Sequence, residues 1–313
     1  MQVAGIDLAW GTKARTGIAL TDADGRLEKS ASVLTDNDIA SFLRGCHLAV
    51  IAVDAPIIVR NPTGMRECER LLSADFRRFH AGTHPTNMSR PSMQPEPRAM
   101  RLARAHGWRV DPSHRGSPQT PIAIEVFPHS SMVGLFGLTK ILEYKAKSGR
   151  TLESRRHQFG VLMDLMEAHC DRTLHLSQNE RWREIRHVVL TAKQQAALNL
   201  IEDEVDAIFC AYIAWTFAVA PELLSTYGTP GEGAIVTFPS PATRTSLTTS
   251  GWRDSNPRPL DPQSSALPSC ATARSPVNRP TEPTQSPEAS ARQVARACRL
   301  DPQQPDSGQS EPD

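Results

Sequence analysis

Val3-Ala4-Gly5-Ile6-Asp7-Leu8-Ala9-Trp10 is a short, almost wholly apolar run with one carboxylate set into it. An apolar run of about four to eight residues bounded by turn signals forms a buried strand, and Gly11-Thr12-Lys13 supplies the closing turn. An ionised carboxylate inside such a strand is costly unless something meets it. Two readings of this stretch stay open: backbone groups bond Asp7, or Asp7 holds a metal.

Moving outward, Gly17-Ile18-Ala19-Leu20 makes a second strand, Asp22-Ala23-Asp24-Gly25 a hairpin turn, and Leu27 to Leu34 a third strand. Asp36 or Asn37 caps a short helix running through Leu43. Leu48-Ala49-Val50-Ile51-Ala52-Val53 is uninterrupted and apolar, and ends in Asp54-Ala55-Pro56. Such a run marks a central strand in a sheet covered on both faces. A fifth strand, Ile122-Ala123-Ile124-Glu125-Val126-Phe127, also encloses a carboxylate and closes at Pro128. Helices are expected near 64–78, 96–106, 130–138, 151–170 and, as the longest run, 191–219. A last short strand covers 234–239. The fold class is therefore α/β, a mixed sheet flanked by helices.

Residues 60–115 contain eleven arginines, no lysine and five acids. Arg presents a planar fork to phosphate, so this loop-rich insert, about 60–120, favours phosphate recognition. Whole-chain charge names no partner, with 35 basic against 34 acidic residues. Six scattered cysteines without a C-x-x-C pair fit reduced thiols better than a disulfide framework or a zinc site. No stretch reads as a signal peptide or a membrane span, so a cytoplasmic location is expected.

Beyond Pro239 the composition changes. Thirteen of the 25 prolines lie in the last 75 residues, among Ser, Thr, Gln and Arg. Such a segment buries too little apolar surface to offset its ordering entropy, so 241–313 is expected to be disordered and 1–240 to form the domain. Within it, Gly251-Trp252-Arg253-Asp254-Ser255-Asn256-Pro257-Arg258-Pro259 resembles a translated antisense strand of a transfer-RNA gene. That implies a reading frame that has run past the natural end of the domain.

Four acidic sites stand out: Asp7, Asp54, Glu125 and the Asp203-x-x-Asp206 pair. The i, i+3 spacing puts both helical carboxylates on one face. Converging carboxylates repel unless a cation joins them. Mg²⁺ or Mn²⁺ takes oxygen ligands and keeps waters for a phosphate, and paired ions about 3.5–4 Å apart cleave phosphodiesters.

On these pieces the chain resembles the domain-of-unknown-function family number 429, regarded as predicted nucleases of the RNase H-like fold. The matching stretches are Gly5-Ile6-Asp7, Val53-Asp54-Ala55-Pro56, Arg66-Glu67-Cys68-Glu69-Arg70, Ile124-Glu125-Val126-Phe127-Pro128, Asp203-Glu204-Val205-Asp206-Ala207 and Gly231-Glu232-Gly233-Ala234-Ile235. The resemblance implies Asp7, Asp54, Asp203 and Asp206 as metal ligands, and Glu125 as a ligand or a base. Asp7, Asp54, Glu125 and Asp206 are the catalytic candidates. Arg66 and Glu69 match the family's R-x-C-[DE] motif, with Glu69 where Asp is usual, and imply a substrate-facing helix. The arginines of this stretch, Arg66, Arg70, Arg77 and Arg78, are expected to bind substrate phosphates. The expected function is divalent-metal-dependent hydrolysis of nucleic acid. The alternatives are a non-catalytic nucleic-acid-binding module and an actin-like ATP-dependent phosphotransferase.

Overall fold

A computed structural model describes residues 1–11 and 13–241. In chain order these form β1 (Gln2–Asp7), β2 (Thr16–Thr21), β3 (Leu27–Val33), α1 (Asp36–Phe42), β4 (Leu48–Val53), α2 (Glu67–Phe76), α3 (Arg98–Ala105), β5 (Ile122–Val126), α4 (Pro128–Phe136), α5 (Leu152–Leu174), α6 (Glu180–Thr191), α7 (Gln195–Asn199), α8 (Glu202–Val219), β6 (Ser225–Thr229) and β7 (Gly233–Thr237). The expected tail, with its transfer-RNA-like stretch, lies outside the described residues.

The strands build one seven-stranded sheet in the order β3-β2-β1-β4-β5-β7-β6. β1 is antiparallel to β2 and parallel to β4, and β5 and β7 continue the parallel run. The sheet is mixed, as expected. Successive side chains alternate across a pleated strand, and here each face is covered. Val3, Ala19, Val50, Ala52 and Ile124 pack under α5, α6 and α8, while Ile6, Ile18, Leu20, Ile51 and Val53 pack under α1 and α3. This is why β1 and β4 read as continuous apolar runs.

Two departures from the sequence reading are instructive. The expected helix over 191–219 is three pieces, the end of α6, then α7, then α8. The breaks fall where the buried Arg155 guanidinium gathers Gln195, Asn199 and Glu202. Polar side chains drawn to one guanidinium outweigh the helical propensity of the run. β6 was not anticipated either; it is a partly exposed edge strand paired only with β7. Among the described residues no helix is long and apolar enough to cross a membrane. Cys46, Cys68, Cys170 and Cys210 are free thiols.

Candidate active site

Val3, Gly5 and Asp7 alternate onto the face of β1 that meets α8. There is no room there for a side chain at Gly5, because a Cβ would lie 2.1 Å from both Ala207 O and Ala211 N. Gly17 of β2 has the same relation to Asp203 O, at 1.8 Å. Two glycines therefore let α8 lie backbone-to-backbone on β1 and β2. That close approach carries Asp203 and Asp206 to the carboxyl end of β1. Asp54 arrives from the neighbouring strand: its N–H donates to Ile6 O at 2.8 Å, extending the β1–β4 ladder by one residue. Asp7, Asp54, Asp203 and Asp206 thus meet from three elements almost two hundred residues apart in sequence.

At their centre stands a cation that the sequence did not single out. Lys145 Nζ lies 2.5 Å from Asp206 Oδ2, 2.9 Å from Asp7 Oδ2 and 3.9 Å from Asp203 Oδ1. Asp206 is fully buried, and its other oxygen accepts from Tyr144 Oη at 2.5 Å. The Asp206–Lys145 contact lacks hydrogen-bond alignment, so Oδ2 is held by charge alone. Burial opposes the charge on Lys145, but Asp206 and Asp7 outweigh it and hold its pKa well above the ordinary lysine value. Asp54 differs from the other three. Among the described residues it has no ion pair, and burial, then Asp7, pushes its pKa well up.

The remaining groups follow from this field. Burial, with Asp7 next, raises Asp203 to about 8 against the partial relief of Lys145. Burial and then Lys145 push His129 down to about 3, so its ring, stacked on Tyr144 at 6.0 Å, stays neutral. A carboxyl whose folded pKa is raised binds its proton more tightly in the native state. Its stabilising contribution is complete below the ordinary value of 3.8 and is lost as pH climbs through about 8 for Asp203. In the presence of chelator, the melting temperature should therefore fall as pH rises from about 6 to 9, and Asp203→Asn should flatten that fall. A melting temperature indifferent to pH over this window would count against the clustered-acid geometry.

Glu125 is not part of this cluster. Strand register pairs it with Val53, on the α1/α3 face, so the pleat turns it away from Asp7 and Asp54. Its oxygens accept from Arg66 Nη2 at 2.6 Å, Arg66 Nη1 at 2.9 Å and Ile57 N–H at 2.9 Å. Arg66 Nε donates to Glu69 Oε1 at 2.8 Å, and Glu69 also accepts from the Arg66 and Thr86 N–H groups and the Thr86 hydroxyl. Arg66, Glu69 and Glu125 are 4%, 1% and 6% exposed. Where a substrate-facing Arg66–Glu69 pair and Glu125 as ligand or base were expected, the three side chains are paired with one another and line the cleft they share with Asp54. These three side chains form a closed ion network that ties the insert to β5. Arg70, Arg77 and Arg78 are exposed, with Arg70 paired to Glu67 and Arg78 lying over the Phe79 ring. A narrow cleft joins the network to the acids, with Asp54, Trp10, His84 and Phe127 among its walls.

A family model described as a protein of unknown function, DUF429, matches residues 5–232, from Gly5 of β1 to the turn before β7. The chain belongs to the DUF429 family. Neither the curated proteins nor the solved structures contain a match to it. The DUF429 match spans all four aspartates and Lys145. Lys145 and Tyr144 carried no sequence signal: a lysine among Lys140, Lys147 and Arg150 in a polar connection reads as surface.

Among the described residues, no three His, Cys, Asp or Glu side chains are arranged to hold a metal ion; the acids surround an ammonium instead. The donor chemistry nonetheless suits a hard divalent ion. Mg²⁺ is ordinarily held by one or two carboxylates with waters and substrate phosphate, rather than by an all-protein cage. Asp7 and the unpaired Asp54 are such a pair.

Proposed function

We propose that this chain is a divalent-cation-dependent nuclease of the RNase H-like fold, with Asp7 and Asp54 holding Mg²⁺ or Mn²⁺. The observation that carries this reading is the pairing of those two carboxylates at the adjacent carboxyl ends of parallel β1 and β4. The chain leaves β1 toward one edge of the sheet and β4 toward the other, and such a reversal opens the crevice where α/β sheets bind ligands. The three antiparallel strands, the parallel continuation and α8 laid across β1 are the arrangement expected of that fold. When bound, Mg²⁺ or Mn²⁺ supplies Lewis acidity to the attacking water and to the leaving oxygen.

The protein's own groups do the rest. Asp7 and Asp54 bind and orient, and Asp203 at the rim, raised to about 8, keeps its proton at neutral pH and can give it to the leaving oxygen. Lys145 offsets the charge of the cluster, so an anionic phosphate is not repelled. Arg70, Arg77 and Arg78 are among the exposed arginines available to a nucleic-acid backbone, where Arg forks pair with phosphate oxygens. The Lys145-filled cluster favours one competitor, a nucleic-acid-binding module without catalysis. An ATP-dependent phosphotransferase of the actin-like class needs a second domain, and the described residues hold a single sheet.

The test pairs melting temperature, with and without Mn²⁺, with cleavage of DNA and RNA in single-stranded, duplex and junction forms. Wild type should be stabilised, by about 2.7 kcal/mol at a hundredfold excess over Kd, and should cleave one class of substrate. Asp7→Asn and Asp54→Asn should fold and lose both effects. If both variants keep the full Mn²⁺ shift and full activity, the cluster is structural. If the Mn²⁺ shift is present without cleavage, the binding module is favoured.

A further inference from the structure

We infer that Lys145 is a permanent member of the acid site, standing where a second metal ion would sit, so that the chain binds one divalent cation per site. This rests on the metal-dependent reading above and narrows it.

The first ground is how the cluster divides. Asp206 has no exposed surface; its Oδ1 accepts from Tyr144, and its Oδ2 faces Lys145 Nζ at 2.5 Å. An incoming ion could reach it only by displacing the lysine. Asp54 is the reverse case, partly exposed, lining the cleft and, among the described residues, without an ion pair. Asp7 stands between them, with Oδ2 on Lys145. The cluster therefore has a sealed half around Asp206 and an open half around Asp54. A two-ion site would need cations in both halves, and the sealed half already holds one.

The second ground is how firmly the lysine is mounted. Its segment has no regular secondary structure, yet side chains pin its backbone at four consecutive residues. Glu143 N–H donates to Gln158 Oε1 at 3.1 Å, and Tyr144 O accepts from Arg155 Nε at 2.8 Å. Lys145 O accepts from Arg150 Nη1 at 2.8 Å, and Ala146 N–H donates to Glu202 Oε2 at 3.0 Å. Arg155 is itself 1% exposed and fixed by Glu202. Tyr144 is buried edge-on against Phe159, with centroids 5.0 Å apart. A chain held at four consecutive residues, by buried Arg155 and by partly buried Gln158, Arg150 and Glu202, presents Lys145 as a fixture, and a divalent ion does not displace it. One metal and one ammonium then share the charge that two metals carry elsewhere.

The experiment is Mn²⁺ binding stoichiometry by calorimetry and electron paramagnetic resonance on the full chain, with no substrate present. Wild type should bind one Mn²⁺ with the spectrum of an isolated ion. Asp54→Asn should abolish binding, whereas Asp206→Asn should leave the stoichiometry at one. Lys145→Met vacates the sealed half, and the stoichiometry should rise to two with spin coupling between neighbouring ions. Two ions on wild type, or Mn²⁺ binding lost equally in Asp206→Asn and Asp54→Asn, would overturn the inference and leave the nuclease reading standing. A single ion on both wild type and Lys145→Met would do the same. No Mn²⁺ on wild type overturns the nuclease reading itself, and this inference with it. If Lys145→Met does not fold, the wild-type stoichiometry and the two Asp→Asn variants decide.

Discussion

Arg66→Met should destabilise the folded chain by about 3–5 kcal/mol, the range seen when one partner of a buried ion pair is removed. The guanidinium reaches Glu125 through two nitrogens, Glu69 through a third, and the Ile58 carbonyl at 3.0 Å. All three charged side chains are buried, so water cannot take over when one is lost. Two carboxylates would be stranded together beneath the insert. Urea denaturation of wild type and variant measures the loss. A second variant separates stranded charge from lost packing: changing Glu69 and Glu125 to Gln in the Arg66→Met background should recover part of the stability. A loss below about 1 kcal/mol, the scale of a solvated surface pair, would return Arg66 to a substrate-facing role.

Gly5→Ala should be similarly severe, for a reason of space rather than charge. The added carbon would lie 2.1 Å from two backbone atoms of α8 and 2.7 Å from a third. Backbone has no rotamer with which to move aside, so the helix must back away from β1 by about 1 Å. Overpacking of this kind costs about 3 kcal/mol or more, a fall in melting temperature of about 6–12 °C for a domain of this size. The same displacement separates Asp7 from Asp206, so the Mn²⁺ shift should shrink as well. Gly160→Ala in α5 is the control. Nothing lies within 4 Å of that Cβ, and helix propensity alone favours alanine by about 1 kcal/mol. Equal melting temperatures for Gly5→Ala and wild type would mean that α8 does not rest on the strand.

The α/β class and the central strands were legible because β1 and β4 are buried on both faces, and a continuous apolar run has few other meanings. The three aspartates Asp7, Asp54 and Asp206 were legible as exceptions: each is a carboxylate among residues that seek the core. Glu125 met the same criterion and ended elsewhere. Whether it faces Asp54 or turns away depends on register, and one step along a strand changes the face. Nothing local to Ile124-Glu125-Val126 fixes that step. Arg66 illustrates a different limit. Its helix-start pattern was readable, but its partner Glu125 is almost sixty residues away and came only with the fold. Lys145 was the hardest to see, since its role comes entirely from what surrounds it.

The glycine contact between β1 and α8 also has a consequence for synthesis of the chain. Gly5 and Asp7 leave the ribosome about two hundred residues before Ala207 and Ala211, the residues that cover them. At about 5–20 residues per second, β1 waits about 10–40 s for its helix. Throughout that interval the bare groove over Gly5 and Gly17 is open to other apolar segments, and the aspartates of β1 and β4 lack α8, and for most of it Lys145 as well. The nascent domain therefore passes through a stage with its sheet begun and its acid site unassembled. Chaperone binding to stalled nascent chains should be strongest before residue 220 and fall away once α8 has emerged.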